Sequence, residues 1–165
     1  MDRLLSVIIG TAGLTLAAAA AAVLAWLRRP KPGPPVELRR TAALFGVGIC
    51  LQTLHAAEEY STRFYERFPA AVGLAAWPAE FFVLFNVAWL AIWIAAAFGL
   101  KSGRRLAFFA IWFFAIAAVA NGIAHPLLAL RAGGYFPGLW SAPLLGILGV
   151  WLWRRLNAIT ETGPP

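Results

Sequence analysis

The most constraining feature of the chain is a series of long apolar runs separated by short polar or basic segments. Five runs can be drawn, at about residues 4–27, 38–59, 79–100, 106–130 and 136–153. Each approaches or exceeds the ~20 residues that a helix needs to cross the hydrocarbon of a bilayer. Inside a bilayer the backbone groups must bond to one another, which a helix achieves within one segment. The runs therefore predict an all-α fold, a polytopic transmembrane bundle of about five helices in a single membrane domain, residues 1–165.

The composition agrees with this prediction. Hydrophobic residues make up 61% of the chain and charged residues 13%, against about 45–50% and about 25% in soluble domains. The net charge of +7 would by itself suit a nucleic-acid partner. The basic residues, however, form short clusters between apolar runs, which is a topology signal of membrane proteins. We therefore expect membrane lipids around the chain and exclude nucleic acid; an oligomer is compatible with the pattern.

A secretory signal peptide is the alternative interpretation of the first apolar run, because residues 17–22 are consecutive alanines. A signal peptide begins with a positive segment, whereas here Arg3 is offset by Asp2. The strong basic cluster instead follows the run, within residues 28–37. We expect a retained first helix and, at 28–37, a proline-rich cytoplasmic linker that is extended and not helical.

The distribution of lysine and arginine predicts the orientation of the five-helix arrangement. On one side of the membrane lie Arg28, Arg29, Lys31, Arg39, Arg40, Lys101, Arg104, Arg105, Arg154 and Arg155. The other side has Arg3, Arg63, Arg67 and Arg131. Because the more basic side is cytoplasmic, we expect the N-terminus outside and the C-terminus in the cytoplasm.

The second apolar run ends in an unusual cluster of ionisable residues, His55, Glu58 and Glu59. Positions i, i+3 and i+4 of a helix share one face, so the three side chains can point into the same space. Ionisable residues at membrane depth are costly and usually functional. The chain has only seven acidic residues and two histidines. This cluster is therefore the predicted functional site.

The predicted topology brings further polar residues to the same outer half of the membrane. They are Gln52 in the second run, Glu80 and Asn86 in the third, Asn121 and His125 in the fourth, and Tyr135 before the fifth. We expect His55, Glu58, Glu59, Asn121 and His125 to act in catalysis. We expect Gln52, Glu80, Asn86 and Tyr135 to contact the substrate. The alternative is a set of hydrogen bonds that only hold the helices together, and the two carboxylates favour a pocket.

Three motifs in order carry a family resemblance: His55-x-x-Glu58-Glu59, Asn121-x-x-x-His125 and Tyr135-x-Pro137-Gly138. Over about residues 41–150 the chain resembles the HXXEE-domain membrane proteins of bacteria. The resemblance implies these site residues and the bacterial inner membrane, and no particular reaction. A more distant analogy links the His55 and Glu59 pair to emopamil-binding, sterol-isomerase-like proteins. Those are five-helix bundles in which carboxylates stabilise a carbocation and move protons across a lipid ring.

Three functions follow from these residues. The first is acid–base, isomerase-like chemistry on a lipid-like or other apolar small molecule, with His55 and Glu59 as the principal pair and His125 as a second proton carrier. The second is a zinc or iron site formed by His55, Glu59 and His125, in a hydrolase or oxidoreductase. The third is a non-enzymatic small-molecule or ion binder or carrier, although carriers more often have duplicated halves.

The sequence pattern assigns no catalytic role to two further pairs of residues. Ser61 and Ser141 are the serines near the outer side, and neither lies in a nucleophile motif. Pro137 and Gly138 bend or start a helix and need no catalytic interpretation.

Overall fold

The computed structural model describes residues 2–100 and 102–163. In chain order the elements are α1 (Arg3–Gly10), α2 (Ala12–Leu27), β1 (Arg28–Pro30), α3 (Pro35–Ser61), α4 (Phe64–Ala71), α5 (Ala79–Leu100), α6 (Arg105–Ala132), α7 (Ala142–Ile159) and β2 (Thr160–Thr162). The all-α prediction is confirmed, with two short strands added. Lys101, one of the predicted cytoplasmic basic residues, lies outside the described residues.

Two helices, α5 and α6, are long and apolar enough to cross a membrane. The pair α1 and α2, bent by 43° at Thr11, would be a third span if the two form one broken helix. Within the described ranges α3 and α7 are not apolar enough to count as candidate spans. Charged residues lie near both ends of α3 and near the end of α7. Two to three apolar helices are consistent with a membrane protein, and the predicted five-span bundle is not confirmed.

The helix bounds differ from the apolar runs where proline and glycine intervene. The third run coincides with α5, but α3 begins at Pro35, three residues before the predicted start, since proline is well tolerated in the first helical turn. The last helix begins at Ala142 and not at 136, because residues 136–141 form a turn in which the Ala142 N–H bonds to the Gly138 carbonyl at 2.9 Å. Helix α4 is an element that the apolar pattern did not predict.

The predicted linker is only partly irregular. Its first residues form β1, which pairs antiparallel with β2, Arg28 lying opposite Thr162. Arg28 Nε donates to Thr160 Oγ1 at 2.9 Å, and Arg155 Nη1 lies 3.0 Å from Glu37 Oε2. The ends of α2 and α7 and the start of α3 therefore meet at one end of the bundle, about 40 Å along α3 from its other end.

Helix α6 lies at the centre of the bundle and packs against α2, α5 and α7. Its contact with α7 is made by small residues: a Cβ at Gly122 would lie 2.7 Å from Gly146 Cα. Such glycines let two helix backbones approach closely. This packing fixes the C-terminal half of α6, which carries His125, against the start of α7.

Candidate metal centre

Three buried side chains from two helices converge at one end of the bundle. His55 and Glu59 lie one turn apart on α3, and His125 faces them from α6. Glu59 Oε1 is 3.6 Å from His55 Nε2 and 3.4 Å from His125 Nε2. The two imidazole rings are nearly perpendicular, with centroids 4.9 Å apart. The exposed fractions of His55, His125 and Glu59 are 0%, 2% and 7%, so the cluster is shielded from solvent.

The orientation of His125 is set by a backbone carbonyl. Its Nδ1 lies 2.6 Å from the Pro137 oxygen, and a carbonyl oxygen only accepts. Nδ1 therefore carries the hydrogen and donates it. Since a neutral imidazole carries one ring hydrogen, the Nε2 atom of His125 presents a lone pair to Glu59.

His55 is oriented in the same sense by a hydroxyl group. Its Nδ1 lies 2.8 Å from Ser141 Oγ, and the Ser141 hydroxyl donates to Glu58 Oε2. The hydroxyl hydrogen is thus already used, so Ser141 Oγ accepts from His55 Nδ1–H. The lone pair of His55 Nε2 is then directed at the cluster. This nitrogen is buried and has no hydrogen-bond partner in the part of the chain that the structure describes.

Glu58 anchors the segment between α6 and α7 and does not join the cluster. Its carboxylate accepts from the Tyr135 hydroxyl at 2.7 Å, from the backbone N–H groups of Trp140 and Ser141 at 3.1 and 3.0 Å, and from the Ser141 hydroxyl. Burial and the hydrogen bond to Glu58 raise the pKa of Tyr135, so Tyr135 remains a phenol donor. Glu58, which we expected to act in catalysis, holds the serine that orients His55.

Gly138 packs against both imidazoles. Its φ is +82°, and a Cβ added there would lie 2.6 Å from His125 Cε1 and 2.8 Å from His55 Cε1. A side chain would therefore be strained by the backbone and would collide with both rings. The Pro137-Gly138 pair, which the sequence analysis treated as a turn alone, supplies both the carbonyl that holds His125 and the close approach to His55.

The spacing of the three groups suits a metal ion. Their ligand atoms all lie within 4.8 Å of one another. Ligands at about 2.0–2.2 Å from a tetrahedral ion are separated by roughly 3.3 Å, close to the observed 3.4 and 3.6 Å. Direct charge-assisted hydrogen bonds would be shorter, about 2.7–2.9 Å. Two imidazoles with one carboxylate are the protein ligands of many catalytic zinc and non-haem iron sites.

The groups around the ligands also match a metal centre. Metal-binding histidines usually donate their second ring N–H to a carbonyl or carboxylate, which fixes the ring orientation. His125 donates to a carbonyl directly, and His55 reaches the Glu58 carboxylate through Ser141. Both outer contacts come from the short turn that precedes α7.

A cavity of about 280 Å³ lies beside the cluster. Its lining includes two of the three clustered residues, Glu59 and His125, and three more of the predicted polar residues, Gln52, Asn86 and Asn121. Aromatic side chains from α4 and α5 form much of the remaining wall. Two predicted substrate contacts are not brought to this cavity: Glu80 is exposed at the start of α5, and Tyr135 lies on the Glu58 side of the centre.

More than half of the chain matches one known protein family. Residues 47–152 match the model of a family described as "Protein of unknown function with HXXEE motif". The chain belongs to the HXXEE family. Neither the curated proteins nor the solved structures give a match. The family segment contains all three candidate ligands, and within the HXXEE motif of this chain the histidine and the second glutamate face the centre while the first glutamate anchors the turn.

Ser141 is the site residue of this HXXEE protein that the sequence analysis missed. It lies 86 positions from the histidine that it contacts, so no local spacing connects the two. The available signal was its position, immediately before α7 and one turn after Pro137-Gly138. A polar residue there faces the end of α3 that carries the HXXEE motif.

Replacing Ser141 by alanine should lower the affinity for zinc by about 10–100-fold, the usual effect of losing an outer hydrogen-bond partner. The change removes the acceptor that holds the His55 Nδ1–H. The matched control is Ser61→Ala, because the Ser61 hydroxyl bonds to the Glu58 carbonyl of its own helix. Competition with a zinc indicator gives the two affinities. Equal affinities in Ser141→Ala and Ser61→Ala would show that Ser141 does not position a ligand.

Proposed function

We propose that this HXXEE protein is a membrane-embedded metalloenzyme that binds one divalent transition ion, zinc or ferrous iron, through His55, Glu59 and His125. Its substrate is a lipid-like or other apolar small molecule. One observation carries the proposal: both imidazoles donate Nδ1–H away from the cluster, to Ser141 and Pro137, and so present both Nε2 lone pairs to a buried carboxylate.

Electrostatics favours a cation at this position. Two lone pairs and a carboxylate are all acceptors, and burying them together without a donor or cation is costly. A proton on Glu59 could be donated to only one of the two Nε2 atoms at a time. A divalent ion interacts with all three groups together. When bound, such an ion polarises a substrate oxygen or lowers the pKa of a bound water.

The remaining lining residues have roles that follow from their chemistry. Gln52 and Asn121 offer neutral amides to the polar part of a substrate. Asn86 donates its Nδ2 to the Phe82 carbonyl at 2.9 Å, which leaves its Oδ1 as an acceptor. The aromatic wall excludes water and strengthens each polar contact inside the site.

The proposed location is the outer half of a bacterial inner membrane, with the N-terminus outside and the C-terminus cytoplasmic. In this arrangement α3 and α7 cross beside the more apolar helices, which gives five spans. The support is positional: the basic strand β1, which pairs with β2, and the HXXEE motif lie at opposite ends of α3. Arg39 and Arg40 flank one end of that helix, and Glu58 and Glu59 flank the other.

Acid–base chemistry without a metal is the second candidate, because Glu59 lies between two imidazoles that could exchange a proton with it. The sterol-isomerase analogy points the same way. A non-enzymatic binder would use the same cavity. Metal analysis separates the first candidate from both of these.

The test is elemental analysis of the detergent-purified full chain after loading with zinc or iron. We expect about one ion per chain in the wild type and in Glu66→Gln, which changes an exposed carboxylate. The ion should be lost in His55→Ala and His125→Ala, with circular dichroism confirming that all variants keep their helices. A folded wild type that takes up no metal would contradict the proposal and favour acid–base chemistry.

A further inference from the structure

The cavity beside the metal centre, which we call the slot, lies between α5 and α6 and is also lined by residues of α1 and α2. Along α6 the residues that line it between Phe113 and Asn121 are small, namely Ala117 and Ala120. Across the slot α5 contributes large aromatic side chains. Large residues opposite small ones leave an elongated apolar space with all its polar groups near one end.

The far end of the slot is closed. Trp89 on α5 packs against Phe113 on α6 with ring centroids 4.2 Å apart, and Trp93 lies on the same side. Phe113 is about 18 Å from His125 along α6 at about 1.5 Å per residue. The volume of about 280 Å³ lies at the small end of the roughly 300–1,000 Å³ of small-molecule sites. This space suits one hydrocarbon chain and not two.

The slot also opens on the side of the bundle. Gly13, Ala120 and Ala124 line it and are exposed at the surface. A Cβ added at Gly13 would meet nothing within 4 Å, which agrees with open space there. A ligand dissolved in the membrane can therefore enter between the helices without crossing the aqueous phase.

The charges around the centre select the polar group of the ligand. Among the described residues that line the slot, none is lysine or arginine. A divalent ion would be balanced by two negative charges, that of Glu59 as a ligand and that of Glu58, which is linked to His55 through Ser141. An anionic ligand would add an unpaired charge to a buried site, which is costly. A neutral oxygen group adds none and can bond to the amides of Asn121 and Gln52.

We infer that the substrate is a neutral single-chain lipid, a long-chain alcohol or an ester of one. Its oxygen lies at the metal centre beside Asn121, and its tail fills the slot as far as the contact between Trp89 and Phe113. The inference rests on the proposed function for any reaction at the oxygen, whereas the slot itself can be tested by binding alone.

The probes are ω-bromododecanol and ω-bromododecanoate, added to the zinc-loaded full chain in phosphatidylcholine nanodiscs. Bromine quenches tryptophan fluorescence at short range, so a tail at the end of the slot should quench Trp89 and Trp93. We expect saturable quenching by the alcohol and at least about tenfold weaker binding of the carboxylate, because its charge is buried without a partner.

Two variants close the slot. Ala117→Phe places a ring inside it, and Gly13→Phe narrows the side opening. Both should abolish the saturable component. The matched control for Gly13→Phe is Gly46→Phe: Gly46 is also a helical glycine with nothing within 4 Å of an added Cβ, but it does not line the slot. The Gly46→Phe protein should bind the alcohol like the wild type.

Metal content measured on the same samples separates the two proposals. Saturable binding of the alcohol to protein that takes up no metal would reject the proposed function and support the slot. Metal-loaded protein without saturable quenching would overturn the slot alone. Equal binding of the carboxylate, or quenching unchanged in both Ala117→Phe and Gly13→Phe, would also overturn it.

Discussion

Glu59→Gln is expected to lower the affinity for zinc or iron by more than about 100-fold, beyond the effect of losing an outer partner. Glu59 is the one charged member of the ligand set, whose other two ligands are neutral imidazoles. Glutamine keeps the shape and removes the charge. Its NH₂ group can donate to the lone pairs of His55 and His125, which lie 3.6 and 3.4 Å from the carboxylate oxygen.

This substitution therefore separates metal binding from folding. Without metal, the Glu59→Gln protein should unfold at a temperature equal to or above that of the wild type, because buried acceptors gain donors. Competition against a chelator gives the affinity, and thermal unfolding in detergent gives the stability. Glu66→Gln, at an exposed position of α4, is the control for both. Unchanged metal affinity in Glu59→Gln would exclude this residue as a ligand.

Gly138→Ala is expected to have the second largest effect, since it disturbs both imidazoles at once. Its φ of +82° costs alanine about 1–2 kcal/mol, and the added Cβ would lie within 2.8 Å of each ring. Zinc affinity should fall by at least about tenfold, as it does when the groups that orient the ligands are disturbed.

The chain offers a matched control for this change. Gly133 also has a positive φ, +68°, but a Cβ there would meet nothing within 4 Å. Gly133→Ala should therefore show the backbone strain, a similar loss of stability, with normal zinc affinity. Chemical denaturation and zinc competition measured on both variants distinguish strain from contact. Equal zinc affinity in the two would contradict the placement of Gly138 against the histidines.

The candidate ligands could be predicted from the sequence because helix periodicity and helix direction together place them at one end of the bundle. His55 and Glu59 are one turn apart in a run that is otherwise apolar, and the alternation of helix direction brings His125 to the same end. The adjacent acids are harder to assign. Consecutive residues on a helix point about 100° apart, so only one of Glu58 and Glu59 can face His125. Which one does so depends on how α3 is rotated against α6.

The residues that hold the candidate ligands in place could not be predicted from helix periodicity. Ser141 and Gly138 belong to a turn whose shape is set by its contact with Glu58, more than 75 positions earlier in the chain. Local patterns identify turn residues and helix starts but not the distant side chain that a turn meets. The same limit applies to the first helix: its bend next to Gly10 coincides with the packing of Trp77 against that glycine, a contact that no local pattern reveals.

The number of membrane spans is the part of the fold that apolar length alone predicts least well. Helices α5 and α6 are apolar enough to qualify as membrane spans, even though they carry polar residues such as Asn86 and His125. Helix α3 carries the site itself, and α7 contains Arg154 and Arg155. Polar residues that serve a buried site or an interface reduce the apolar signal of the helices that bear them.

We propose that two imidazoles and one carboxylate of this chain bind a metal ion. X-ray absorption at the metal edge of the purified, zinc-loaded wild type tests it most directly. We predict a first shell of nitrogen and oxygen at about 2.0–2.2 Å, with the multiple-scattering pattern of two imidazoles, falling to one in His125→Ala. A first shell without imidazole, or one that contains sulfur from Cys50, would contradict metal binding by His55, Glu59 and His125.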